Sequence, residues 1–234
     1  MLDMHVHILP GVDDGAANES MTREMIRRAR DAGITRMVAT PHVYQPQDQM
    51  KNLRALAVAH AITRRARIPL SMGCELNHRA LLGLPMQALE HFCLGPTRCI
   101  LLELPVEHML PGWDALVCEM MDHGYQPIIA HPERYLYLQR DFDIAKAMVE
   151  LGCEMQVDAT GLMAPLMSAE RRTARKLLKN GMAHYVASDA HRPSDYDTFE
   201  KAYRTFSGEW PVKNRFAAQM RALREEKKRH EQRD

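Results

Sequence analysis

The sequence predicts an α/β protein in which a parallel sheet closes into a TIM-like barrel, and three observations predict it. Seven short apolar or β-branched runs recur with starts about 25 to 35 residues apart, the length of a strand–helix unit. The runs are apolar nearly throughout, as strands covered on both faces must be. Helical patterns that stop at glycines separate many of them.

Taken in order, the first run is LDMHVH (2–7). The stretch ESMTREMIRRARDAG follows, with Met21, Met25, Ile26 and Ala29 on one helical face and Gly33 as its stop. The second and third runs are RMVAT (36–40) and LSMGCE (70–75), and the fourth is CILLEL (99–104). The helix WDALVCEMMDHG ends at Gly124 and leads to PIIAH (127–131). DIAKAMVELG ends at Gly152, before CEMQVD (153–158). ERRTARKLLKNG ends at Gly181, before HYVAS (184–188).

At 234 residues, 46% hydrophobic and 26% charged, the chain is expected to form one domain over 1–234. A net charge of +1 provides no global field for nucleic acid or an anionic membrane. No run approaches the roughly 18 apolar residues of a spanning helix, and the N-terminus lacks a signal-peptide pattern. Five cysteines, an odd number without CxxC spacing, suit reduced thiols and a cytoplasmic location. The mixed-charge end, about 215–234, reads as a helical or frayed tail. Nothing in the sequence sets the oligomeric state.

The chemistry sits at the ends of the runs. The first ends His5-Val6-His7, two imidazoles whose strand spacing points them the same way. His42 follows the second run; Glu75, Glu103 and His131 stand at the ends of the next three. The last leads into Asp189 and His191, and Asp14 lies in the DDG turn after the first. In a parallel barrel these ends open on one face, where active sites are built. Each residue alone is weak evidence, but Glu103 inside LLELP is odd, since a buried carboxylate needs a cation or donors. Six of seven ends carrying His, Asp or Glu point to joint metal binding. Nine candidates (His5, His7, Asp14, His42, Glu75, Glu103, His131, Asp189 and His191) would fill two or three adjacent sites. Imidazole and carboxylate without thiolate suit manganese, iron or zinc. Adjacent divalent ions clamp a phosphoryl group and acidify a bound water, which phosphate-ester hydrolysis requires. Asp3 is expected to brace the first strand. The remaining histidines and the seventeen methionines read as surface or packing residues.

The motifs DMHVHILPGVDDG, ATPHV, GCEL, LLELP, IIAHPERY and SDAHR run in this order from residue 2 to about 195. They resemble the polymerase-and-histidinol-phosphatase superfamily, and more closely its bacterial protein-tyrosine phosphatases of the CpsB/YwqE type, encoded with capsule or exopolysaccharide genes. The resemblance implies a distorted seven-stranded barrel with three divalent metal ions, manganese foremost. It implies that His5, His7, Glu75 and Asp189 hold the first ion. Glu75 would bridge to a second, completed by Glu103 and His131, and Asp14, His42 and His191 would hold the third. Arg134 of HPERY stands at the family's phosphate-binding arginine, and Arg192 could serve similarly. Asp13 would orient a ligand or bound water, its alternative being a turn-capping carboxylate. The acidic Glu103 matches the tyrosine-phosphatase branch. QVDATGL departs from the family's usual pattern, with Asp158 for asparagine and Gly161 for serine. The implied activity is hydrolysis of protein phosphotyrosine without a covalent enzyme intermediate. The implied partner is the phosphotyrosine-bearing tail of a bacterial tyrosine kinase. A phosphatase for histidinol phosphate or a sugar phosphate, and a non-catalytic scaffold, are the alternatives.

Overall fold

In the computed structural model, which describes residues 1–209, all seven expected runs form parallel strands. The second and third are each broken in two, so nine strands are seen among the described residues. They are β1 (Leu2–Val6), β2 (Arg36–Ala39), β3 (His42–Val43), β4 (Leu70–Met72), β5 (Glu75–Asn77), β6 (Cys99–Glu103), β7 (Gln126–Ala130), β8 (Glu154–Asp158) and β9 (Tyr185–Ala187). The first sheet runs β1-β2-β4 and the second β3-β5-β6-β7-β8-β9. The breaks have a local cause. Pro41 lacks the N–H that would continue the ladder, and a Cβ on Gly73 would lie 2.6 Å from Leu94 Cδ2. Across the break the two segments stay side by side, with Gly73 N donating to Ala39 O (2.8 Å) and Glu75 N to Pro41 O (3.1 Å). At the other seam a single parallel bridge, Val6 to Ala190, joins β1 to the chain beyond β9. The ring is therefore TIM-like and distorted at two places.

Helices cover the outside: α1 (Glu19–Asp31), α2 (Asp48–Ala66), α3 (His78–Leu82), α4 (Trp113–Asp122), α5 (Leu136–Arg140), α6 (Asp143–Leu151), α7 (Ala159–Met163), α8 (Ala169–Lys179) and α9 (Asp195–Phe206). In α1, Asn18 caps Met21 N at 3.0 Å and Met25, Ile26 and Ala29 are buried, as the periodicity expects; Met21 is only partly covered. The four expected glycine stops, Gly33, Gly124, Gly152 and Gly181, all take positive φ. The long α2 gave no clear periodic signal, because its buried face is Asn52, Ala55, Ala59, Ile62 and Thr63, mostly small or polar. No helix among the described residues is long and apolar enough to cross a membrane. The expected tail at about 215–234 lies outside the described residues.

Two apolar clusters explain why the ring has a floor. The larger lies between strands and helices and includes Met25, Ile26 and Ala29 of α1. The smaller is built from Met4, Val38, Leu101, Ile128, Ala130, Tyr185 and Ala187 of five strands, with Leu94 and Cys99, and includes no helix residue. It fills the barrel interior. Strand alternation carries the same face upward into Glu103, Asp189 and the β8 residues Gln156 and Asp158. In β1 a register irregularity between Asp3 and Val6 shifts the parity, so that Met4 packs in the floor while His5 and His7 join the polar layer above. As expected, Asp3 braces this strand: it accepts from Ser188 N (3.1 Å), Ser188 Oγ (2.6 Å) and Tyr196 Oη (3.1 Å).

Candidate metal centre

The nine expected ligands converge on one rim above the apolar floor. His5, His7, Glu75 and Asp189 each place one ligand atom within 4.8 Å of the others, all buried. Two further groups meet the same criterion: His7, Asp14, His42 and His191, and His42, Glu75 and Glu103. Glu75 lies at the middle. Its Oε2 is 3.2 Å from His5 Nε2, 3.3 Å from His7 Nε2 and 3.1 Å from His42 Nδ1, and its Oε1 is 2.6 Å from His131 Nε2. His131 thus touches the other oxygen of Glu75, while His42 lies close enough to Glu75 and Glu103 to form a ligand group with them.

The outer nitrogens settle what the inner ones can do. His5 Nδ1 donates to Gln156 Oε1 (2.7 Å), and His7 Nδ1 donates to Asp13 Oδ2 (2.8 Å). In the neutral rings both Nε2 atoms then carry lone pairs. They stand 3.2 Å apart, each 3.2 Å from Asp189 Oδ1, an oxygen that no other donor among the described residues reaches. Two lone pairs and two carboxylate oxygens facing one another without a proton between them repel. A divalent cation is the group this donor set fits. Without one, the rings hold protons instead. Burial pushes His5 down, but the carboxylates of Asp189 and Glu75 outweigh it and raise it to about 9. His7 is likewise raised, against burial, by Asp13, Asp189 and Glu75. Glu75 and Asp189 lie well below the usual carboxylate range despite burial, chiefly through His5.

Local backbone geometry places these groups. A Cβ on Gly15 would sit 2.1 Å from His7 O, so glycine lets the DDG turn lie against the β1 end. Asp13 both orients His7 and accepts from Gly15 N (3.0 Å) and His42 N (3.2 Å), so its two anticipated roles coexist. Asp14, with 70% of its side chain exposed, reaches over the rim to His42 (3.5 Å) and His191 (3.3 Å). His131 and Asp189 adopt left-handed conformations, φ 32° and 47°. Such strain, worth on the order of 1–3 kcal/mol at a non-glycine residue, clusters at functional sites.

The chain leaves His131 through a short 3-10 turn, Pro132–Arg134, that folds Arg134 back toward the rim. Its Nη2 contacts Asp189 Oδ2 (2.6 Å) and Asp158 Oδ2 (2.5 Å), leaving the side chain 36% exposed. Asp158 Oδ1 in turn accepts from Gln156 Nε2 (2.7 Å), which completes a ring of contacts from His5 through Gln156, Asp158, Arg134 and Asp189 back to His5. Beneath it, Glu133 Oε1 accepts from Asp158 N (2.7 Å). Burial and the nearby Asp158 charge push Glu133 well above the usual carboxylate range; burial raises Asp158 to about 6, opposed by Arg134. Both departures from the family pattern belong here: Asp158 faces Arg134, and Gly161 clears space for Glu133, whose Oε1 would lie 2.6 Å from a Cβ there. Arg192 stands apart, 70% exposed, its Nε 3.7 Å from Asp195. Gln156, Glu133 and Asn77, which donates to Glu103 Oε2 (2.7 Å), were not singled out from sequence. The alternation Glu154-Gln156-Asp158 in a buried strand was the available signal. Cys74, beside Glu75, donates to Phe92 O and is fully buried, which suits packing.

A parallel α/β ring bearing a rim of imidazoles and carboxylates defines a barrel with a candidate polynuclear metal centre. Within that class, the model of the family described as capsular polysaccharide synthesis, CpsB/CapC, matches residues 1–202, and the chain belongs to this family. It is 29% identical to the tyrosine-protein phosphatase YwqE of Bacillus subtilis over 221 residues, covering 90% of this chain and 87% of that one. It is 27% identical to the putative tyrosine-protein phosphatase CapC of Staphylococcus aureus, over 82% and 77% of the two chains. The fold superposes with a TM-score of 0.78 on a crystal structure from a study of YwqE of Bacillus subtilis and CpsB of Streptococcus pneumoniae, described as metal-dependent tyrosine phosphatases; identity is 26%, over 92% of this chain and 90% of that one. An organophosphorus hydrolase variant from Deinococcus radiodurans shares the fold at a TM-score of 0.54 and 13% identity, over 91% of each chain.

Proposed function

We propose that this chain is a metal-dependent phosphomonoesterase that hydrolyses protein phosphotyrosine. Its target would be the tyrosine-rich tail of a bacterial tyrosine kinase, in the control of capsule or exopolysaccharide synthesis, and it would act in the cytoplasm as a single domain. The observation that carries the reading is the convergence of His5, His7, Glu75 and Asp189, with both imidazoles held through Nδ1 so that their Nε2 atoms face two carboxylates. The relatives' names supply the substrate class. Three ions, manganese foremost, are the proposed complement, on the three ligand groups that meet on this rim.

When bound, such ions supply Lewis-acid contacts to phosphoryl oxygens and an acidified water. The chain's own residues do the rest. Gln156 and Asp13 fix the rotation and tautomer of His5 and His7. Arg134, held by Asp158 and Asp189 and still partly exposed, is placed to take non-bridging oxygens and offset the charge that develops on them. Asp14 and His191 form an open lip that a disordered polypeptide tail can reach. Arg192, further out, would meet phosphate only by swinging off Asp195. Phenolate is a tolerable leaving group, with a parent pKa of about 10, so little acid assistance is needed. Turnover of a phosphotyrosine peptide and of histidinol phosphate, compared with manganese present, tests the proposal. Faster peptide hydrolysis is expected; much faster histidinol phosphate hydrolysis would defeat the substrate assignment, and no hydrolysis of any phosphomonoester would defeat the activity.

A further inference from the structure

The metal rim continues on one side into a second feature. The Tyr44 ring stacks on His42, centroids 5.1 Å apart and planes at 25°. It is nonetheless 49% exposed. Its backbone is pinned, since Tyr44 N and Gln45 N both donate to Asp48 Oδ2 (3.1 and 3.0 Å) at the start of α2. Tyr44 forms one wall of a cleft of about 350 Å³ lined also by Asn77, His78, Glu103, Val106 and His108. That volume lies at the small end of the roughly 300–1,000 Å³ of ligand pockets. The cleft joins the metal centre directly, because Glu103 belongs to a ligand group with His42 and Glu75. Val106, 42% exposed, supplies a second apolar wall and is held by Leu136 N donating to its carbonyl (2.9 Å).

We propose that Tyr44 and this cleft receive the phenyl ring of the phosphotyrosine, so that Tyr44 sets the preference of the metal centre for aryl over alkyl phosphate esters. The inference deepens the phosphatase reading and rests on it. A ring seated on the outer face of Tyr44 would lie one aromatic layer from His42, beside the ligand group of His42, Glu75 and Glu103. Stacked or edge-on aromatic pairs are favoured at centroid separations of about 4.5–7 Å, and such a pair is worth a several-fold change in affinity, up to about ten-fold. An alkyl ester offers the same phosphoryl group and nothing to stack.

Binding can be read without turnover. The probes are phenylphosphonate and methylphosphonate, titrated into the manganese-loaded protein by calorimetry, for wild type, Tyr44→Phe, Tyr44→Leu and Val106→Asp. The wild type should favour the phenyl compound several-fold. Tyr44→Phe should keep that ratio, whereas Tyr44→Leu and Val106→Asp should collapse it toward one. The Val106 change lies at an exposed wall and keeps the test open should the Tyr44 variants lose His42 packing. A wild type indifferent to the phenyl group, or a ratio unmoved by Tyr44→Leu and Val106→Asp even where both affinities fall, would overturn the proposal. A wild type that prefers phenylphosphonate yet hydrolyses no phosphotyrosine peptide would instead defeat the activity reading and leave the subsite standing.

Discussion

Raising the pH of the metal-stripped protein should destabilise it, and His5 supplies the magnitude. The side chain is fully buried, and Asp189 and Glu75 hold its proton up to about 9 against an ordinary value of 6.5. A folded-state pKa above the unfolded one means that the stability is complete below about 6.5 and drains away as pH rises through about 9. At about 1.36 kcal/mol per pH unit, that rise corresponds to about 3 kcal/mol for His5 alone. His7 shifts in the same direction and adds to the loss. For a chain of this length, about 3 kcal/mol is on the order of 6–12 °C in melting temperature. The assay is a melting series in chelator from pH 6.5 to 9.5, run beside the same series with manganese. Ligated imidazoles are neutral at both ends of the range, so the loaded protein should lack this loss, and the difference between the two series removes surface titration common to both. A stripped protein whose melting temperature stays flat relative to the loaded one would refute the picture of proton-bound imidazoles clamped between carboxylates.

Three substitutions test the supports of the site. Gly15→Ala would drive a methyl into His7 O at 2.1 Å, so it should cost about 1–3 kcal/mol in thermal unfolding and weaken metal retention; an unchanged melting point would contradict the close approach. Asp13→Asn loses the charged acceptor of His7 Nδ1 and should lower metal affinity about 10–100-fold in chelator competition, while wild-type affinity would show that His7 needs no such brace. Asp158→Asn removes one of the two carboxylates on Arg134, so inorganic phosphate should inhibit several-fold more strongly; equal or weaker inhibition would show that Asp158 does not compete for the arginine.

The site was legible where chemistry coincides with strand period. His5 and His7 share a face because they are two apart at a strand end, and Glu103 was conspicuous because its neighbours are Leu and Ile. Gln156 was hidden because an amide in a strand carries no metal signature, although its alternation with Asp158 directs it inward. Glu133 lay in plain view within HPERY, but its pairing with Asp158 joins segments 25 residues apart and depends on the left-handed turn at His131, which propensity does not announce. The interruption of the second and third strands follows from Pro41 and Gly73, yet the side-by-side continuation beyond them is a tertiary result. The helix α2 escaped because small and polar residues make its buried face, and Tyr44 because one aromatic after a histidine has no pattern to distinguish it.

The central claim is that side chains spread over nearly two hundred positions hold divalent cations together. Anomalous scattering at the manganese edge, from crystals grown with manganese, tests it most directly. The account predicts an ion about 2.0–2.3 Å from His5 Nε2 and His7 Nε2, sharing oxygens of Glu75 and Asp189, with further ions toward His42 and Glu103 and toward Asp14 and His191. Fully occupied anomalous peaks lying only away from these residues, with His5 and His7 still turned toward bare carboxylates, would contradict it.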